Sequence, residues 1–190
     1  QPHARDAVGV HLAGHRLGRL GFDEDAVGRD HRHEAGGFAE GANALQQVRA
    51  GITELEIAGI LEKALRDEGS EAHPFETIVA SGPRSALPHA RASRRVIESG
   101  DLLLLDFGAE YGGYCSDVTR TVVVGRASDE VRGLYDIVRV ANERAARAVH
   151  AGMTGSDAYQ VARDYISAAG FVSDFGHSLG HGIGLEVHEA

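Results

Sequence analysis

Residues 102–125 read LLLLDFGAEYGGYCSDVTRTVVVG. Four consecutive leucines form a short apolar run that suits a strand buried on both faces. A β-rich run, 114–125, follows EYGG, whose paired glycines mark a turn. The stretch is therefore expected to fold as a hairpin, with one strand over 102–107 and a second from Tyr114 onward. With the turn placed at the 111–112 bond, Asp106 and Asp117 are equidistant from it and become cross-strand partners. Two carboxylates held together on a mostly buried sheet repel each other. Either one takes up a proton or a divalent cation sits between them. The alternative is a pair of exposed turn aspartates that bond local backbone N–H groups.

Upstream, ITELEIAGILEKALRDEG (52–69) starts with a capping box, Thr53 at the N-cap and Glu56 three residues on. Ile57, Ile60, Leu61, Ala64 and Leu65 then make an apolar helical stripe, and Gly69 is a natural stop. FAEGANALQQVRA (38–50) reads as a preceding helix, and FETIVA (75–80) as a strand before the turn-rich SGPRSALPHA (81–90). Downstream, helices are expected over 129–150, with Val131, Leu134, Tyr135 and Val138 on one face, and over 155–169. Residues 1–37 hold five of the eleven histidines and lack apolar periodicity, so they read as an irregular segment, a possible remnant of an amino-terminal region.

VRAGITELEIAGILEKALRDEG (48–69) aligns without a gap with VHAGMTGSDAYQVARDYISAAG (149–170), at an offset of 101. Val48, Ala50, Gly51, Thr53 and Gly69 recur as Val149, Ala151, Gly152, Thr154 and Gly170. The shared order of Ala-Gly break, helix and glycine stop predicts two related half-domains. The second copy's counterpart of the 102–125 hairpin would fall after residue 190, so the carboxyl-terminal half is expected to be incomplete in this sequence.

The last residues, FGHSLGHGIGLEVHEA (175–190), place His177, His181 and His188 among four glycines. That much glycine argues against a helix. In an extended chain His188 would face away from His181, but Gly182 and Gly184 permit a bend that brings the two together. Neutral imidazole is a good ligand for Zn, Mn, Co or Fe.

Composition narrows the function classes. A net charge of −9 argues against a nucleic-acid or anionic-membrane partner. No apolar run approaches a membrane span, and the amino end has no signal-peptide pattern. Cys115 is the only cysteine, which excludes an internal disulfide and suits a reducing, cytoplasmic setting.

The blocks SGPRSALPHA, LLLLDFGAEYGGYCSDVTRTVVVG and FGHSLGHGIGLEVHE together resemble the pita-bread metallopeptidases, and most nearly their Xaa-Pro branch, aminopeptidase P and prolidase. The resemblance covers residues 38–190, read as a partial catalytic domain. It implies an α+β pita-bread fold of two pseudo-symmetric halves. It also implies two divalent metal ions, manganese favoured, held by two Asp, one His and two Glu. Asp106, Asp117 and His181 match the first three of these ligands, while both glutamates would lie after residue 190. His89 and His188 match histidines that hold substrate and steady the tetrahedral intermediate, and His177 matches a further pocket histidine.

The activity so implied is metal-dependent hydrolysis of Xaa-Pro bonds, at the N-terminus of peptides or in dipeptides, through a hydroxide bridging the two metals. The partner is a peptide with proline at its second position, and the family's frequent dimers imply a homodimer. With three of five ligands, the 190-residue chain is expected to be weak or inactive. Methionine aminopeptidase, creatinase-like metal-free hydrolysis and a non-catalytic pita-bread binding module are the rival readings.

Overall fold

Thr53 opens helix α1 (Glu54–Asp67) with the expected capping box: its hydroxyl accepts from the Glu56 N–H, and the Glu56 carboxylate accepts from the Thr53 N–H. Ile57 and Leu61 on the buried face of α1 pack against Val79, Leu103, Leu105 and Phe107. Each such side chain contributes roughly 2 kcal/mol by leaving water. The computed structural model describes residues 46–189. The irregular segment 1–37 and most of the helix expected over 38–50 lie outside the described residues, and 46–50 are turn and coil.

Three antiparallel strands form the main sheet, in the order β1 (Ile78–Ser81), β2 (Leu102–Phe107), β5 (Val118–Val123). The first strand starts later than the apolar run at 75–80 predicts. Residues 74–77 are bend and coil, and Pro74 and Phe75 instead lie against Gly108. Alternation along β2 separates two faces. Leu103, Leu105 and Phe107 meet α1, while Leu104 meets Ala80 and Ala90 on the opposite face. Asp106 shares the parity of Leu104, so it stands on the face away from the helix.

The hairpin register differs from the expected one. The turn is Gly112–Gly113, with φ of 58° and 80°, between the two-residue strands β3 (Glu110–Tyr111) and β4 (Tyr114–Cys115). A two-residue hairpin loop with both φ positive follows strand twist and favours glycine at both sites. Moving the turn centre to the 112–113 bond pairs Asp106 with Thr119, and Asp117 becomes its diagonal neighbour, two residues along β5's approach.

After Ser128 caps it, helix α2 (Asp129–Ala148) runs to Ala148 and packs on α3 (Gly155–Ala168). Their shared core is Ala141, Ala145, Ala162 and Ile166, closed by Phe175. The face expected on α2 is only half-buried at Val131, Leu134, Tyr135 and Val138; the fully buried positions are the alanines one and two turns on. No helix among the described residues is long and apolar enough to cross a membrane.

The internal repeat is visible in the backbone. Thr154 and Asp157 form a second capping box, 101 positions after Thr53 and Glu56. Gly51 and Gly152 have φ of 92° and 88°. The bonds Gly69 N–H to Arg66 O and Ser70 N–H to Leu65 O recur as Gly170 N–H to Ser167 O and Phe171 N–H to Ile166 O. Helix start, length and stop are thus the same in both copies.

Candidate metal centre

Strand β2 delivers Asp106 to the sheet face opposite α1, where it is 8% exposed. Thr119, directly across on β5, donates its hydroxyl to Asp106 Oδ1 at 3.0 Å. Burial and then the charge of Asp117 push the Asp106 carboxyl up to about 6, against the pull of Thr119 and His181. Asp117 follows the hairpin as coil before β5, and its Oδ1 is buried with no hydrogen-bond donor. A buried carboxylate oxygen without a donor is costly.

The carboxyl-terminal coil reaches this pair through a backbone bond far apart in sequence. The Cys115 N–H donates to Gly184 O at 2.7 Å and fastens the coil alongside β4. A bridge between Gly182 and Glu189 then closes 182–189 into a loop. Inside it, Glu189 Oε1 accepts the Leu185 N–H at 2.8 Å, and its carboxylate occupies the space where a Cβ on Gly184 would sit. That loop folds His188 back over His181, ring centroids 4.1 Å apart, as the two glycines permit.

His181 Nδ1 donates to Gly182 O at 2.9 Å, leaving Nε2 as the lone-pair nitrogen of the neutral ring. Nε2 lies 3.4 Å from Asp117 Oδ2. Two acceptors confront each other there unless the ring is protonated or a cation lies between. This confrontation, the undonated Asp117 Oδ1 and the mixed carboxylate and imidazole chemistry all fit a divalent cation. Asp117 is the common neighbour of Asp106 and His181, yet among the described residues no three His, Cys, Asp or Glu side chains close as one group about a single point.

The remaining histidines stand apart. His177 packs edge-on against Phe175, centroids 5.1 Å apart, and donates Nδ1–H to Ser178 O at 2.7 Å. His89 is exposed, and among the described residues it makes no hydrogen bond or ion pair. Its neighbour Ala90 is buried against Ala80 and Leu104, so the segment crosses the same sheet face that Asp106 occupies. The sequence reading missed Thr119 and Glu189. A count centred on the Gly112–Gly113 bond would have found Thr119; the role of Glu189 depends on a loop closure with no local signal.

The family model for metallopeptidase family M24 matches residues 37–190. An uncharacterized peptidase of Bacillus subtilis, YqhT, is 48% identical over 159 residues, covering 83% of this chain and 45% of the relative. The Xaa-Pro dipeptidase of Pyrococcus furiosus is 46% identical over 146 residues, covering 77% of this chain and 42% of the relative. Among solved structures, the X-Pro aminopeptidase of Thermotoga maritima superposes with a TM-score of 0.79 at 53% identity, covering 80% of this chain and 43% of that one. The chain thus spans less than half the length of these relatives. It belongs to metallopeptidase family M24 and carries the α+β pita-bread fold in the part it spans.

Proposed function

We propose that this chain provides part of the active site of a divalent-metal-dependent exopeptidase that cleaves Xaa-Pro bonds. The observation that carries the reading is the pair of buried Asp106 and half-buried Asp117, with His181 Nε2 3.4 Å from Asp117, in a chain 46% identical to an Xaa-Pro dipeptidase. Asp106, Asp117 and His181 are the side chains that would hold metal, and manganese is the ion the family resemblance favours. When bound, such ions supply Lewis acidity to polarise the scissile carbonyl and to activate water.

The chain's own groups divide the rest of the work. Thr119 holds Asp106 Oδ1, and Gly182 O holds His181 in the tautomer that presents Nε2. His188, exposed and stacked obliquely on His181, is positioned to donate a hydrogen bond to a peptide oxygen entering beside it. His89 and His177 are assigned to orienting the peptide by the family resemblance. Residues 38–190 form the catalytic portion, and 1–37 lie outside it. A peptide with proline at its second position is the substrate class, a homodimer the assembly, and the cytoplasm the compartment that a lone cysteine suits.

Titration of the purified chain with Mn²⁺, followed by calorimetry and by the manganese electron-spin signal, tests the metal reading. Saturable binding that D117N removes is the expected result; binding equal in both proteins would overturn it. An Ala-Pro dipeptide, an Ala-Pro-Ala peptide and a Met-Ala peptide, offered with Mn²⁺ to the chain and to its longest natural form, test the specificity. Cleavage restricted to Met-Ala would replace this reading with methionine aminopeptidase.

A further inference from the structure

Helix α1 carries a carboxylate that its own capping does not use. Glu54 is fully buried, 0% exposed, although it is the first residue of the helix. The capping box employs Glu56, and the equivalent position in the second copy is Gly155, so neither helix start nor repeat requires an acid here. Its oxygens instead accept five hydrogen bonds from three residues far away in sequence. Oε1 takes the Ser81 N–H and hydroxyl, both at 2.8 Å. Oε2 takes Arg84 Nε at 3.1 Å, the Ser93 N–H at 3.1 Å and the Ser93 hydroxyl at 2.6 Å. Burial alone would raise this carboxyl, but the hydrogen bonds of Ser93 and Ser81, with the charge of Arg84, hold it below its ordinary value.

Ser81 and Ser93 are the two ends of one segment, and Arg84 lies in the turn between them. Ser81 ends β1, and Ser93 closes the stretch that contains His89. Between them lie a short 3₁₀ turn (Gly82–Ala86) and coil, closed by local bonds such as Leu87 N–H to Arg84 O and Ala90 N–H to Leu87 O. Arg95 reinforces the near end, donating to Ser81 Oγ at 2.6 Å while pairing with Asp101. Ala90 is the segment's main apolar anchor on the far sheet face. A loop held at both ends by one carboxylate has far fewer accessible paths than a loop held by its chain alone.

We propose that Glu54 is a positioning residue: it ties residues 81 and 93 to one point under the sheet and thereby sets where His89 stands over the Asp106 face. The inference rests on the reading of His89 as a substrate-orienting group, but its test needs no catalysis.

The test is made on the whole 190-residue chain without substrate, as wild type, E54Q and S93A. Amide hydrogen exchange is followed residue by residue, together with the His89 ring resonances, assigned with H89Q. In E54Q an amide group faces the donors that the carboxylate satisfied. Amides of 82–92 should lose at least about tenfold more protection than those of Leu103–Leu105, and the His89 resonances should move. S93A removes one donor, and should produce the same pattern with a smaller size, so it decides the matter where E54Q does not fold. Exchange of 82–92 and His89 resonances unaltered in a folded variant would overturn the proposal. So would a uniform rise across loop and strands, since Glu54 would then support the whole fold and not this segment. Loosening of 82–92 in a protein that cleaves no Xaa-Pro peptide would sink the function and leave the positioning intact.

Discussion

The two copies of the repeat share their local geometry and differ in what they carry. In both, a Thr-led capping box starts a helix of 14 residues that a positive-φ glycine follows. Helix α1 then lies on a sheet, through Ile57 and Leu61 against Leu103 and Leu105. Helix α3 presents Ala158, Ala162 and Ile166 at matching positions, and among the described residues its partner is α2. The first copy sets Asp106 on a buried strand and Asp117, half-buried, on the short coil that leads into β5. The second sets His181 and His188 on glycine-rich coil, where both retain solvent contact. Backbone signals were kept in both copies, while packing and chemistry diverged. The sheet half holds the carboxylate pair, and the coil of the second half brings His181 Nε2 to within 3.4 Å of it.

This contrast can be broken at the cores first. Leu103→Ala should cost about 3 kcal/mol, since the site is fully enclosed between sheet and helix. Ile166→Ala, in the alanine-lined core, should cost about 2 kcal/mol. Urea unfolding of both variants checks the order, and equal losses would erase the proposed difference between the halves.

Glu54 distinguishes the copies next. Its carboxyl is held below the ordinary value of 4.5, so its contribution is present above that pH and is lost as pH falls through the lowered value. E54Q should be about 2 kcal/mol less stable at pH 7, with the gap narrowing below pH 4 in urea unfolding. A gap that does not change with pH would mean that its charge contributes nothing.

Asp106 works in the opposite sense. Its folded value, about 6, exceeds the ordinary 3.8, so stability linked to its proton is full below 3.8 and lost as pH rises through 6. In metal-free protein D106N should therefore raise stability by about 1 kcal/mol at pH 7.5, while removing Mn²⁺ binding. A variant both less stable and still binding Mn²⁺ would show that the pair is ordinary structure.

The smallest effect sharpens the likeness. Thr53→Ala and Thr154→Ala each remove an N-cap acceptor from a solvent-facing box, and each should cost about 1 kcal/mol by thermal unfolding. Unequal losses would mean that the two helix starts are not energetic equivalents.

Much of this was legible in the residues. Capping, glycine stops and the leucine strand are local signals, and α1, β2, α2 and α3 lie where those signals predict. The register of Asp106 was misread because the turn was centred on Tyr111–Gly112, and only glycine accepts positive φ at both 112 and 113 without strain. The meeting of His181 with His188 was legible from two glycines. Thr119 beneath Asp106 was lost with the same turn; the five bonds of Glu54 were hidden because their donors are 27 to 39 residues away, and the Glu189 latch because its loop closure has no local signal.

The bond from Cys115 N–H to Gly184 O sets an order of events. Asp106 and Asp117 belong to one hairpin, which can close in microseconds. Cys115 and Leu185 are 70 residues apart. Closing so long a loop costs about 2 kcal/mol more in chain entropy than closing a hairpin. The high contact order of that pairing predicts a late step, after α2 and α3 have formed. The aspartates are thus assembled as a pair before a histidine reaches them. Any cation taken up by the proposed site would therefore meet two carboxylates before it meets an imidazole.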